Sequence, residues 1–173
     1  MDFKQIEGGH SIQQDLAAVN PKYGTGKGYN HNCGNCVAAY ELRRRGIDVE
    51  ARPREWMQQE EWADLFEGFS RQTLTSRTTA MTVEEIEQKI LSWGEGARGT
   101  IFGAIKGNQN KGHFFSVEVS GGKVVFVDSQ INKTDARQYF EGLKPSSIVF
   151  GRLDNLKPNA TIINAVKARE VLP

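Results

Sequence analysis

The chain has 173 residues, enough for one domain with a sizeable core and too few for two comfortable ones. Apolar residues make up 38% and charged residues 25%, and a formal net charge of +1 offers no basic surplus for neutralising phosphates, which argues against a nucleic-acid partner. No window approaches eighteen consecutive apolar residues, and the first thirty lack a basic-then-apolar leader, so neither a membrane span nor a Sec-type signal is expected.

Residues 20–32 (NPKYGTGKGYNHN) are dense in Gly, Asn and Pro and read as a loop. Cys33, Cys36, Val37 and Tyr40 then fall at helical spacing, and Arg43 to Arg45 followed by Gly46 mark a helix end. A helix is predicted over 33–45, with the three arginines solvated at its end. Alternating Ile47, Val49 and Ala51 give a short strand stopped by Pro53, and a second helical pattern carries Trp56, Trp62, Leu65 and Phe66. Trp56, Trp62 and Trp93 are read as core residues rather than a substrate platform. Residues 70–82 (SRQTLTSRTTAMT) form a polar connection.

A third helix opens on a capping box, Thr82 with Glu85, and buries Val83, Ile86 and Ile90 before Gly94 and Gly96 break it. GTIFGAI, residues 99–105, reads as a buried strand and NQNKG as the loop after it. HFFSVEVSGGKVVFVDSQ is the strongest strand signal: two alternating runs around Gly121-Gly122, which tolerate the positive φ of a tight hairpin. A short helix near 134–142 and a strand in SSIVFGRLD follow, and the C-terminal segment carries no assignable pattern. A helix followed by a mostly antiparallel sheet makes the class α+β.

Cys33 and Cys36, the two cysteines of the chain, have several chemical readings. A structural zinc site needs four ligands, so His10, His31 or His113 would have to join them, and no His-x3–5-His pair exists. A redox couple would directly follow a strand of a βαβ unit, whereas a Gly/Asn loop precedes this pair. Both could also be small core residues, because free cysteine is among the most buried side chains. A nucleophile needs a base near its sulfur and an acceptor to hold that base, with the positive end of a helix favouring the thiolate.

His113 and Asp128 supply those two groups. With Gly121-Gly122 as a two-residue turn, Val119 pairs with Val124, Val117 with Phe126, Phe115 with Asp128 and His113 with Gln130. His113 and Asp128 then share a face as diagonal neighbours, and a one-residue slip would separate them. His10 and His31 have no partner in the sequence and read as surface residues.

NCGNCVAAYELRRRG, GARG at 96–99, GHFFSVE, and VFVDSQ followed by RLDNL together resemble the papain-fold toxin domains, labelled glutamine deamidase toxins, that end bacterial polymorphic toxins. The likeness runs from about Asn20 to Leu156, within a chain read as one domain over 1–173. It implies a papain-like core, with a nucleophilic cysteine opening a helix that packs on a mostly antiparallel sheet, and histidine and aspartate supplied by that sheet. His113, Asp128 and Gln130 take the matching positions.

By the papain pattern the nucleophile is Cys36, with Asn30 in place of an oxyanion glutamine; by the toxin family's Asn-Cys pattern it is Cys33. Cys33 is preferred, with Cys36 the alternative, because Asn32 can cap the helix and leave Cys33 in its exposed first turn. Asn32 and Gln130 are assigned to oxyanion stabilisation or substrate positioning.

The resemblance implies a cysteine-dependent amide hydrolase acting on a target-cell protein, by glutamine side-chain deamidation or by peptide-bond cleavage as a cysteine protease. No cofactor, metal, nucleic acid or membrane enters that reading. A cognate immunity protein is the expected partner, and the chain is expected to be delivered as the C-terminal part of a larger effector that acts in the target-cell cytoplasm. The competing reading is a non-catalytic binding module whose cysteines are structural or hold a metal.

Overall fold

A computed structural model describes residues 2–69, 75–76 and 80–170, with the backbone alone at 75, 76 and 109. It contains helices α1 (Ile12–Val19), α2 (Cys33–Arg44), α3 (Gln59–Ala63) and α4 (Val83–Leu91), and strands β1 (Val49–Ala51), β2 (Thr75–Ser76), β3 (Arg98–Ile105), β4 (Asn108–Ser120), β5 (Lys123–Val127), β6 (Val149–Arg152) and β7 (Val166–Ala168). Among the described residues no helix is long and apolar enough to cross a membrane.

A five-stranded antiparallel sheet runs in the order β2-β6-β3-β4-β5. Its register is set by the glycine pair: Gly121 (φ +64°) and Gly122 (φ +74°) take the two positive-φ positions of a tight turn, so Ser120 pairs with Lys123 and Val117 with Phe126. Alternation along β4 and β5 then feeds two cores. Phe114 and Val127 join α1, α2, Trp62 and β7 on one side; Phe115, Val117, Val119 and Phe126 meet Ile86 and Ile90 of α4 on the other.

Several elements depart from the sequence reading. NQNKG is the start of β4 rather than a loop: the ladder with β3 resumes at Ile105–Asn108 after a bulge, so pairing overrides turn-like composition. The segment after Pro53 is helical only over Gln59–Ala63, and Arg137–Gly142 is a 3-10 helix. The unassigned C-terminal segment supplies β7, paired with β1. The N-terminal α1 opens on a Ser11–Gln14 capping box, the same device as Thr82–Glu85 on α4. The polar connection falls largely outside the described residues, apart from β2 and residues 80–82.

The arginines ending α2 are not solvated. Arg43 bonds Asp15 (3.1 Å) and Asp48 (2.7 Å), Arg44 bonds Asp15 (2.9 Å) and Glu118 (2.9 Å), and Arg45 bonds Glu41 (3.1 Å). Asp15 and Glu41 are both buried, and Arg98 from β3 closes on Glu41 at 2.9 Å. The Arg45 guanidinium reaches backbone as well, donating to the Leu153 and Leu156 carbonyls at 2.8 Å. This network fastens α2 to α1, to the sheet and to the loop after β6, which fixes where the first turn of α2 sits.

Candidate active site

Cys33 occupies the first turn of α2, where the leading N–H groups have no partner within the helix. The helical ladder starts one residue earlier, with Cys36 N–H donating to the Asn32 carbonyl at 3.0 Å. Asn32 does not cap with its side chain, contrary to the sequence expectation. Its amide instead donates to Asn20 Oδ1 (3.0 Å) and the Arg52 carbonyl (3.1 Å), so both of its hydrogens are spent inside the protein. That leaves no donor on the Asn32 side chain for an oxyanion. Gln130 is similarly tied: its Nε2 donates to the Asn30 carbonyl and its N–H to Asp128 Oδ1 at 2.9 Å. Both residues hold the loop 20–32 against the segment after β5, and Asn20 Nδ2 reinforces this by donating to the Gln130 carbonyl at 3.0 Å.

The ladder between β4 and β5 ends at Ser116–Val127. Beyond it, Asp128 is held by backbone bonds to Lys133 in both directions at 2.9 Å, and Ser129 Oγ donates to the Cys36 carbonyl at 3.0 Å. His113 and Asp128, diagonal in register, meet as the alternation requires: His113 Nε2 donates to Asp128 Oδ2 at 2.9 Å. Gly112 lets β4 run close to β3 here, since a Cβ on it would fall 2.5 Å from Phe102 Cζ.

Cys33 and His113 border one cleft and the Cys33 side chain helps to raise the His113 pKa; with Nε2 engaged by Asp128, Nδ1 is the nitrogen left for the sulfur. Burial opposes the charged imidazole, but the interactions with Asp128 and Cys33 outweigh it and raise the pKa of His113 to about 10. Tyr139, in the 3-10 helix, donates its hydroxyl to the same Asp128 Oδ2 at 2.8 Å and sets its ring edge-on to His113 at 5.5 Å. Burial beside Asp128 pushes the Tyr139 phenol well above its ordinary value, so it stays a donor. Sequence reasoning missed Tyr139: nothing in its local pattern marks it.

Both cysteines are buried in the same core cluster, contrary to the exposed position expected for Cys33, but they differ in what lies beside them. Cys33 is 7% exposed and faces His113; Cys36 is 1% exposed, packed in the core one turn further along. Burial, then the neighbouring Cys33 and Asp128, raise the Cys36 thiol well above its ordinary value. Both are free thiols. Among the described residues, no three His, Cys, Asp or Glu side chains converge in the manner of a metal site.

Two clefts open beside Cys33. One, about 260 Å³, is bounded by Tyr23, Asn30, Ile131, Tyr139 and His113; the other, about 230 Å³, by Met57, Phe102, Phe114, Lys111 and Glu60. Cys33, Trp56 and Gly112 border both. A larger depression of about 490 Å³ runs along the outer face of α4, around Glu84, Gln88 and Lys89, and is lined by neither cysteine nor histidine.

Trp62 is core, as expected: fully buried, with Nε1 donating to the Gly34 carbonyl at 2.7 Å. Trp56 is not. It is 37% exposed and holds φ at +56°, a backbone conformation that costs a bulky residue about 1–3 kcal/mol. His31 stacks on it at 4.4 Å and pairs with Glu55 at 2.8 Å, while His10 pairs with the buried Asp15, so both histidines have partners, although His31 lies at the surface as expected.

A helix opened by a cysteine and packed against an antiparallel sheet that carries a hydrogen-bonded histidine and aspartate is a papain-like architecture. Residues 31–133 match the family described as papain fold toxin 1, glutamine deamidase, and the chain belongs to that family. Among solved structures it is similar to the Salmonella effector SpvD in two variants. One has a TM-score of 0.57 at 14% identity, covering 88% of this chain and 82% of SpvD. The other has a TM-score of 0.51 at 14% identity, covering 87% and 83%. No curated protein matches the chain.

Proposed function

We propose that the chain is a cysteine-dependent amide hydrolase, with Cys33 as nucleophile, His113 as general acid and base and Asp128 as its orienting carboxylate. The observation that carries the proposal is the position of His113, bonded to Asp128 through Nε2 and bordering the same cleft as Cys33, whose side chain helps to raise its pKa. An imidazolium held against a sulfur favours the thiolate, and the start of α2 adds positive potential at the same place.

The Cys33 thiolate attacks the carboxamide carbon, and the resulting oxyanion takes N–H donors at the start of α2. His113 gives its Nδ1 proton to the departing nitrogen, which leaves as ammonia. Neutral His113 then accepts a proton from water as that water attacks the thioester; the carboxylic acid leaves and loses its proton to solvent, and the thiolate–imidazolium pair returns. Asp128 keeps Nε2 protonated throughout, so Nδ1 is free to cycle. Tyr139 acts on Asp128 and is a positioning residue.

The reaction that best fits the family description is deamidation of a glutamine side chain in a protein. Peptide-bond cleavage remains as a second reading because the clefts flank Cys33 on two sides, as an extended chain would need. The toxin description of the family supports delivery into another cell, and a protein target there and an immunity protein in the producer belong to the same proposal. Mass spectrometry of target-cell proteins after exposure separates the chemistries: a gain of about 1 Da, from NH2 replaced by OH at an acyl carbon, means deamidation, and new termini mean cleavage. Activity that survives Cys33→Ala and His113→Ala in folded protein would refute the enzyme reading.

A further inference from the structure

Four large apolar side chains stand exposed among the described residues: Tyr23, Trp56, Ile131 and Ile163. Three of them, Tyr23, Trp56 and Ile131, border the same cleft as Cys33 and His113. Scattered exposed apolar groups need no explanation, but a cluster beside a nucleophile is surface kept free of water for a ligand.

Trp56 is the fixed member of that cluster. His31 stacks on its ring at 4.4 Å, and Lys111 Nζ lies 4.8 Å from the ring centroid. Its backbone is tied on both sides: Trp56 N–H donates to the His31 carbonyl at 3.2 Å, and Arg54 Nε donates to the Trp56 carbonyl at 3.0 Å. The surroundings hold a large aromatic residue in left-handed backbone, with its ring at the border shared by the two clefts.

We propose that Trp56 is the specificity wall of this site: it makes the ligand a polypeptide crossing Cys33 with side chains in both clefts, and it seats an aliphatic or aromatic residue of that chain against Tyr23 and Ile131, next to the attacked amide. The inference rests on the hydrolase reading for the word attacked, but the binding it describes does not. A free amino acid or small amide would fill one cleft and leave Trp56 without a role. Lys111 and Glu60 border the second cleft with opposite charges, so net charge of the segment is a weaker selector there than apolar shape in the first.

The test uses the whole chain. Binding to the Cys33→Ala protein is measured, by calorimetry and Trp fluorescence, for peptides with a central glutamine flanked by Leu or Phe, for the same peptides flanked by Ser, and for free glutamine. Tighter binding of the Leu and Phe peptides, by about tenfold or more, is expected. Tyr23→Ser and Ile131→Ser, exposed positions that leave the core untouched, and Trp56→Ala added to the same background should each remove most of that preference. Melting temperature is the check on folding. Equal binding of apolar and polar peptides, or a preference unchanged in all three variants, overturns the proposal. Turnover by the wild-type chain is read separately: a preserved binding preference with no amide hydrolysis would sink the hydrolase reading and leave the wall in place.

Discussion

Replacing Asp128 by Asn tests the machinery at its least ambiguous point, because the change is nearly isosteric. Asp128 Oδ2 accepts from His113 and Tyr139, and Oδ1 accepts from the Gln130 N–H. An amide has one accepting oxygen, so whichever way it turns, its NH2 faces at least one N–H or O–H that needs an acceptor. If the NH2 faces His113, the imidazole must carry its proton on Nδ1, where it blocks acceptance from Cys33. The gap between 6.5 and about 10 for His113 corresponds to about 5 kcal/mol in favour of imidazolium, and of the groups that raise it the Asp128 bond contributes most.

Loss of that opposite charge should lower the His113 midpoint by about 1–3 pH units, read by NMR titration, which only His10 and His31 could confuse. Activity should fall by about 10²–10⁴-fold. The stability consequence has a definite sign. A folded-state pKa raised above the unfolded value stabilises fully below about 6.5 and is lost as pH rises through about 10. The melting deficit of Asp128→Asn should therefore be larger at pH 6 than at pH 10. A His113 midpoint that stays near 10 in the variant would refute the reasoning outright.

Brief iodoacetamide treatment of the folded chain should alkylate Cys33 and spare Cys36, since only Cys33 faces the imidazole and Cys36 is sealed in the core; peptide mapping decides. Tyr139→Phe should lower activity less than His113→Ala and cost about 1.5–3 kcal/mol in urea unfolding, the worth of a hydrogen bond to a charged group. Gly112→Ala should cost about 1–3 kcal/mol, because its Cβ would meet the Phe102 ring and push His113 off the thiol. Asp15→Ala should cost about 1.5–3 kcal/mol in urea unfolding, because Arg43 and Arg44 lose their shared buried carboxylate but keep Asp48 and Glu118.

The parts of the fold that the sequence made legible are those governed by local periodicity. The Gly121-Gly122 turn fixed the β4–β5 register, and with it the meeting of His113 and Asp128, because a period of two leaves one choice of face. The α2 start and the Thr82 capping box were legible for the same reason. What depended on distant partners was not. Arg43 to Arg45 look like a solvated run until Asp15 arrives from α1 and Glu118 from β4, with Glu41 of the same helix closing on Arg45. Tyr139 reaches Asp128 only because a 3-10 helix folds back beside β5, and Trp56 stands out only because His31 from the loop before α2 and Lys111 from the start of β4 bracket it.

Spacing alone could never separate Cys33 from Cys36, which lie three apart on one buried stripe of α2. The capping argument that favoured Cys33 does not hold, since Asn32 turns its side chain to Asn20 and Arg52. The case for Cys33 rests instead on electrostatics that the fold creates. One helical turn separates a sulfur beside a cation from a sulfur enclosed by apolar side chains with a carboxylate and a second thiol as its nearest charges. The second position penalises a thiolate, while the first sets its sulfur on the cleft with His113. A charge on Cys36 would have to be buried away from water and from His113, so the same motif yields one candidate nucleophile and one core residue. Exchanging the two environments would require moving the imidazole, which is why the side chains of His113 and Asp128, rather than the cysteine spacing, decide the chemistry of this helix.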